Sequence, residues 1–252
     1  MATVNGSTSP KRTFPHVVTQ EDLGTQDRDR MYSIICEHFD NVDREVFDHD
    51  LAEKDWIIRV DDEQGTIQGF STLRHMVGHL DGERVHAFFS GDTVLSRQYL
   101  SESSWMGVWI DLALEQAARF APEKSYWLLM TATHRTYRIL PSCFNQYIPH
   151  MEVPPDPKMR ELLEIFAVQK FPGEFVPEAG VVVLANPIPY RNAEEVEASA
   201  GEHHAANRFF RQRNPGYLRG DFLCCLAEIS FENLNRLGRR FVSENFKARA
   251  EA

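Results

Sequence analysis

Met31, Ile34, Ile35, His38 and Phe39 recur at three- and four-residue spacing, and Val42, Val46, Phe47 and Leu51 extend that face, which predicts one or two amphipathic helices from Arg28 onward. The period then changes. Trp56–Val60 is a short apolar run, Asp61–Gly65 carries turn chemistry, and Thr66–Leu73 is a second run, so the three together predict a hairpin. After Asp81 and Gly82, the stretch Arg84–Leu95 reads as a long strand whose alternation puts His86, Phe88, Ser90, Asp92 and Val94 on one face. A helix from about Ser104 to Phe120 follows, ended by Pro122. Tyr126–Thr131 is an unbroken apolar run, as in a strand buried on both faces, and His134 to about Tyr147 is helical up to a turn around Pro141. The order is ααβββαβα.

Beyond Pro149 the pattern predicts a charged helix from about Asp156 to Lys170, a strand Gly180–Ala185, a polar linker, an arginine-rich segment around Asn207–Arg213, a strand Phe222–Ile229 and a closing amphipathic helix. Residues Met1 to about Gln26 are rich in Ser, Thr, Pro and Gly without periodicity and read as a poorly ordered arm. No internal repeat is present.

A chain of 252 residues with 42% hydrophobic and 25% charged side chains is long enough for one large domain or two small ones, and excludes collagen-like and mainly disordered classes. The net charge of -10 repels phosphate backbones and argues against bulk nucleic-acid binding. The last 52 residues run the other way, with nine Lys/Arg against six Asp/Glu, which leaves room for a local anion site. Cys36, Cys143, Cys224 and Cys225 show no metal or redox spacing and read as reduced, packed thiols, with Cys224 and Cys225 on opposite faces of a strand. His203 and His204 lack a partnered carboxylate motif, so no metal site is expected. No stretch approaches the roughly 18 apolar residues of a spanning helix, and the N-terminus lacks a signal-peptide run. These features predict a cytoplasmic protein with no membrane contact.

From about Arg28 to His150 the chain resembles the GNAT acyltransferase superfamily. The resemblance rests on the helix pair, on WIIRVDDEQGTIQGFSTL as the family's hairpin with Gly69 and Phe70, and on RVHAFFSGDTVL as its long strand. SRQYLSESSW then stands as its donor loop, YWLLMT as its next strand and HRTYRILPSCF in the place of its closing helix. It implies a mixed α/β fold with a twisted, mostly antiparallel sheet flanked by helices. Residues 27–150 would form the GNAT-like core, behind an arm at 1–26, with 151–252 as a C-terminal extension packed on it. It also implies transfer of an acyl group from a thioester, acyl-CoA or an acyl carrier protein, to the amine of a small molecule.

Several residues follow from the resemblance. His86 falls near a position where some members carry a general-base Glu, and Tyr137 resembles the Tyr that many use to protonate the departing thiolate, so the two are expected to face one cleft. Arg97, Ser101, Ser103 and Ser104 would cradle the donor's phosphates at a helix N-terminus. Leu100, Glu102 and Ser104 stand where the family's loop has glycine or alanine. Three readings therefore remain open: coenzyme A held by other groups, a carrier-protein donor, or a catalytically silent scaffold that binds or regulates. Arg135 and Arg138 at i, i+3 either grip a pantetheine phosphate or a substrate carboxylate, or form a solvated face. The segment His203–Arg219 reads as a helix burying Phe209 and Phe210, with contact to an aminoacyl-tRNA donor as a minor alternative.

Overall fold

The computed structural model describes residues 12–100, 103–199, 204–244 and 246–247. In chain order the elements are β1 (Phe14–Val18), α1 (Thr25–His38), α2 (Arg44–Ala52), β2 (Trp56–Asp61), β3 (Ile67–Leu80), β4 (Glu83–Leu95), α3 (Trp105–Phe120) and β5 (Ser125–Thr131). They continue with α4 (His134–Tyr137), α5 (Ile139–Cys143), β6 (Tyr147–Ile148), α6 (Pro157–Lys170), β7 (Phe175–Val176), β8 (Val181–Val182), α7 (Ala193–Ser199), α8 (Ala205–Arg213), β9 (Phe222–Glu228) and α9 (Gly238–Phe241).

Local chemistry explains the joints. Asp43 caps α2 by accepting from the Glu45 and Val46 amides at 2.9 Å, which satisfies two donors that the first helical turn leaves open. Asp62 does the same for Gln64 and Thr66 in the β2–β3 turn. Asp81 and Gly82, with φ of 53° and 84°, make the two-residue turn that joins Leu80 to Glu83. Positive φ at both centres matches the right-handed twist of the flanking strands, which is why Asp-Gly serves there.

Among the described residues one sheet runs in the order β1-β2-β3-β4-β5-β9-β8-β7, with β6 also on β9. Every pairing is antiparallel except β4 with β5, which run parallel because α3 carries the chain back across the sheet. The fold is thus the mixed α/β, mostly antiparallel one that the sequence resemblance implies. Thr66–Leu73, from Ile67 on, and Arg84–Leu95 fall in adjacent strands, as expected, and β3 runs on to Leu80.

Side-chain alternation divides the core. Trp127, Leu129, Cys225 and Ala227 pack with α3 on one face, whereas Tyr126, Leu128, Cys224 and Leu226 pack under α6 on the other. Cys224 and Cys225 therefore take opposite faces, and all four cysteines are free thiols. A third cluster joins α1 and α2 to Ile57, Ile67 and Phe70.

Three expectations are corrected. Residues 14–18, read as part of a poorly ordered arm, pair with β2, because Phe14–Val18 offers an extended edge to Ile57–Asp61. The helix expected from His134 divides into α4 and α5 at Arg138, and Tyr147 belongs to β6 instead. The strand expected over Gly180–Ala185 keeps only Val181 and Val182, since Val183 and Ala185 bond back to Glu174. The sheet itself continues past residue 150, where β9 hydrogen-bonds to β5 across six residue pairs.

Candidate functional site

The parallel pairing of β4 with β5 spans only His86–Ser90 against Ser125–Leu129. Beyond it β4 stays with β3 to Leu95, while β5 continues against β9 to Thr131, so the two strands part at their carboxyl ends. Ser90 marks the fork. Its buried hydroxyl accepts from the indole N–H groups of Trp109 at 3.3 Å and Trp127 at 3.0 Å, tying α3 and β5 to β4 where their pairing stops. Gly69 keeps the other side close: a side chain there would meet the Val94 carbonyl at 2.9 Å and Leu95.

Parting strands leave a gap that their carbonyl ends and the next helix line, the usual place for a ligand in sheets with a parallel crossover. Here it is a cavity of about 250 Å³. Thr93, Val94 and Leu95 form one side and Thr133–Thr136 with Ile139 another. Leu100, Trp105 and Met106 bring in the N-terminus of α3, whose dipole favours negative charge. His38 and Phe39 at the end of α1, and Tyr190, Asn192, Glu195 and Val196 from the segment leading into and along α7, complete it. That segment is held to α1 by a bridge between Phe39 and Tyr190, by the Arg191 amide on the His38 carbonyl, and by the Arg191–Asp40 ion pair at 3.0 Å.

His38 is the titratable group with the clearest geometry. Its Nε2 lies 2.7 Å from the Leu95 carbonyl oxygen, which only accepts, so Nε2 carries the proton and Nδ1 is the basic nitrogen of the neutral ring. Burial holds the imidazole below its ordinary 6.5, against the opposing pull of the Leu95 carbonyl and Glu37. His134, buried at the start of α4, also lines the cavity.

Of the candidate binding residues singled out in the sequence, Arg97 and Arg135 reach this cavity, as does Leu100 of the same loop. Arg97 is engaged there, donating to the Glu37 carbonyl at 3.0 Å and pairing with Glu195 at 3.3 Å. Ser103 and Ser104 flank the start of α3, the latter 3.0 Å from the Thr13 hydroxyl, and neither lines the cavity. Ser101 and Glu102 lie outside the described residues. Arg138 is exposed and does not line the cavity.

The expectation that His86 and Tyr137 face one cleft is not met. His86 sits opposite Ser125, six residues before Thr131 ends β5, which at ~3.3 Å per residue is about 20 Å from the fork's open end. It is buried in a stack with His75 and Phe120, 2.8 Å from His75 and 2.5 Å from Glu123. Glu123 is drawn down to about 2 by hydrogen bonds from Arg84 and His86. Tyr137 is fully buried, and its hydroxyl donates to the Pro149 carbonyl at 2.9 Å. Burial pushes its phenol far up, so it is a packed strut. The resemblance set His86 near a catalytic position of the long strand, whereas the register with Ser125 puts it at the far end of the fork. We expect His86→Ala to lower stability by about 2 kcal/mol in urea unfolding, and Tyr137→Phe to cost about 1 kcal/mol. Neither should slow turnover; a large loss of kcat in a folded variant would restore them as catalysts.

His38 and Tyr190, which line the cavity, were not among the candidate site residues read from the sequence. The signal for His38 was present, an imidazole on the last turn of an otherwise apolar helix face. Tyr190 lies in a polar linker that periodicity does not reach.

No protein-family model matches the chain, and no curated protein matches it. Solved structures similar to it include a conserved protein of unknown function from Enterococcus faecalis V583 described as a probable N-acyltransferase, with TM-score 0.40 and 14% identity over 53% of this chain and 34% of that one. A GNAT family N-acetyltransferase from Escherichia coli in complex with CoA gives TM-score 0.37 and 12% identity over 52% of this chain and 69% of that one. Saccharomyces cerevisiae N-myristoyltransferase with bound myristoyl-CoA gives TM-score 0.39 and 12% identity over 87% of this chain and 51% of that one. The matched regions span about a third of the first of these structures and half of the last.

Proposed function

We propose that the cavity at the fork of β4 and β5 is an acyl-transfer site, where a thioester donor meets the amine of a small molecule. The observation that carries this reading is the fork itself: a gap between parallel strands, walled by apolar side chains, with a helix N-terminus on one side and a neutral imidazole on another. Val94, Leu95, Met106 and Ile139 suit an acyl group and its arm, while the start of α3 suits the donor's phosphate. His38 Nδ1 takes the proton that the amine loses as its nitrogen bonds to the acyl carbon, and the carbon–sulfur bond breaks to release a thiolate. That thiol's ordinary pKa of ~8.5 makes it a competent leaving group without an acid of the Tyr137 kind.

Acyl-CoA or an acyl-phosphopantetheine is the co-substrate of this reading, and the bulky Leu100 at the cavity leaves a carrier protein open as the donor. Among the described residues no group of three His, Cys, Asp or Glu is arranged to hold a metal, and no helix is long and apolar enough to cross a membrane. The Arg-rich segment folds into α8 with Phe210 fully buried, which favours packing there over contact with tRNA. Thermal denaturation with acetyl-CoA tests the reading. Ligand at 100 times Kd should add about 2.7 kcal/mol, which is roughly 5–10 °C for a domain of this size. No shift with CoA, acetyl-CoA or a phosphopantetheinylated carrier protein would put the silent scaffold first.

A further inference from the structure

The positive charge of this chain is segregated. Residues 134–143 of α4 and α5, 205–213 of α8 and 236–241 around α9 hold eight arginines and no Asp, Glu or Lys, in a chain whose net charge is -10. The fold sets these segments side by side. The Tyr137 ring of α4 lies 5.8 Å from that of Phe209 on α8, and the Asn235 amide ahead of α9 donates to the Cys143 carbonyl at the end of α5 at 2.9 Å. All eight arginines are exposed except Arg211, which is half-buried and pairs with Glu197 at 3.1 Å. Arg138, Arg236 and Arg240 meet no carboxylate among the described residues. The face borders the cavity at the fork. Arg135 and Ile139, on either side of Arg138 in the chain, line that cavity. On the other flank α9 lies against the first turn of α3: a side chain at Gly107 would meet the Phe241 carbonyl at 3.0 Å, and Gly107 follows Met106, another residue of the cavity.

Like charges gathered on one face of an acidic chain complement an acidic partner, and arginine grips a carboxylate through two parallel hydrogen bonds. Spread over three packed segments, the face exceeds what the phosphates of one nucleotide reach. Nucleic acid suits it poorly, because the aromatic rings that would stack on bases are withdrawn: Phe210 is fully buried and Phe209 packs on Tyr137. An acyl ester of RNA would also have to expel an alcohol, a far weaker acid than a thiol, while the Tyr137 hydroxyl is already bonded to the Pro149 carbonyl. We propose that this arginine face docks an acidic acyl carrier protein, whose phosphopantetheine arm enters the cavity past Arg135 and Met106. The proposal rests on the acyl-transfer reading above and specifies its donor. The acyl carbon passes to the amine nitrogen, its bond to the arm's sulfur breaks, and the carrier leaves as the free thiol once the thiolate takes up the proton held by His38.

Isothermal titration of the full chain with an acidic bacterial acyl carrier protein, in its arm-free and acetyl forms, tests this beside acetyl-CoA, which presents the same arm without the protein. The acetyl carrier should bind the wild-type chain at least tenfold more tightly than it binds the double variant Arg138→Glu, Arg240→Glu. Acetyl-CoA affinity should be unchanged in that variant, since neither residue lines the cavity. Arg119→Glu, exposed near the other end of α3, should match wild type. Raising the salt from about 0.05 to about 0.3 M should weaken carrier binding to wild type by roughly tenfold, a readout that needs no variant. Absent carrier binding, or binding equal in wild type and double variant, overturns the proposal. An equal loss of acetyl-CoA affinity in the double variant gives the arginines to nucleotide phosphates and overturns it too, as does tighter binding of bulk tRNA that the same variant loses. An arm-free carrier held as tightly as the acetyl form, with no binding of acetyl-CoA, would leave the docking face standing and remove the acyl-transfer reading.

Discussion

His38→Gln is expected to lower kcat by on the order of 10²–10⁴ while the protein stays folded, the usual cost of losing a positioned base. Glutamine keeps an N–H that can reach the Leu95 carbonyl, so the variant removes the basic nitrogen while retaining a donor at the end of α1. The pH dependence follows from the same geometry. Burial holds the folded-state pKa of His38 below 6.5, and the active form is the neutral one, so kcat/KM should be flat above pH 6.5 and fall as the pH drops through that lowered value. His38→Gln should lose this acidic limb as well as the rate. A folded variant with unchanged turnover, or a wild-type profile that breaks above 6.5, removes His38 from the chemistry.

The second large effect concerns the fork. Ser90→Ala leaves the indole N–H groups of Trp109 and Trp127 buried without their shared acceptor, at ~1–3 kcal/mol for each. We expect a loss of about 2–4 kcal/mol in urea unfolding, large for the removal of one oxygen atom. Because Ser90 is also the last residue of β4 paired with β5, the loosened junction should weaken donor binding too. Ser90→Thr, which keeps the hydroxyl, separates the hydrogen bonds from packing: it should recover part of the lost stability. A Ser90→Ala protein as stable as wild type would mean that the two indoles find other acceptors and that the fork is held by packing alone.

Elements that one local rule specifies were legible in the chain. Asp81-Gly82 names its own turn, and the short apolar run Tyr126–Thr131 reads as a buried strand, which it is. Phe209 and Phe210 on one turn announce α8, which Asn214 and Pro215 then stop. The site was less legible because it is assembled from segments far apart in sequence. The last turn of α1, the end of β4, the start of α4 and a polar linker meet only after the sheet has closed. Local patterning says that Tyr137 is aromatic and near the right element, but not that its hydroxyl is already bonded to Pro149. Nor does it show that Tyr190, some 50 residues on, comes to line the same cavity. His86 illustrates the complementary limit: alternation assigns it a face of β4 shared with Phe88 and Ser90, whereas its place at the closed end of the fork depends on the register with Ser125. That register is set by the return of α3, which no pattern within β4 encodes.

A crystal structure of the protein with an acyl-CoA analogue in which a thioether replaces the thioester tests the central claim most directly. The arm should enter between Thr93–Leu95 and Thr133–Arg135, with its sulfur at the fork and His38 Nδ1 facing the carbon that the amine attacks. An arm bound elsewhere, for example in the groove between Met151 and Arg213 on the far side of β9, would contradict the account.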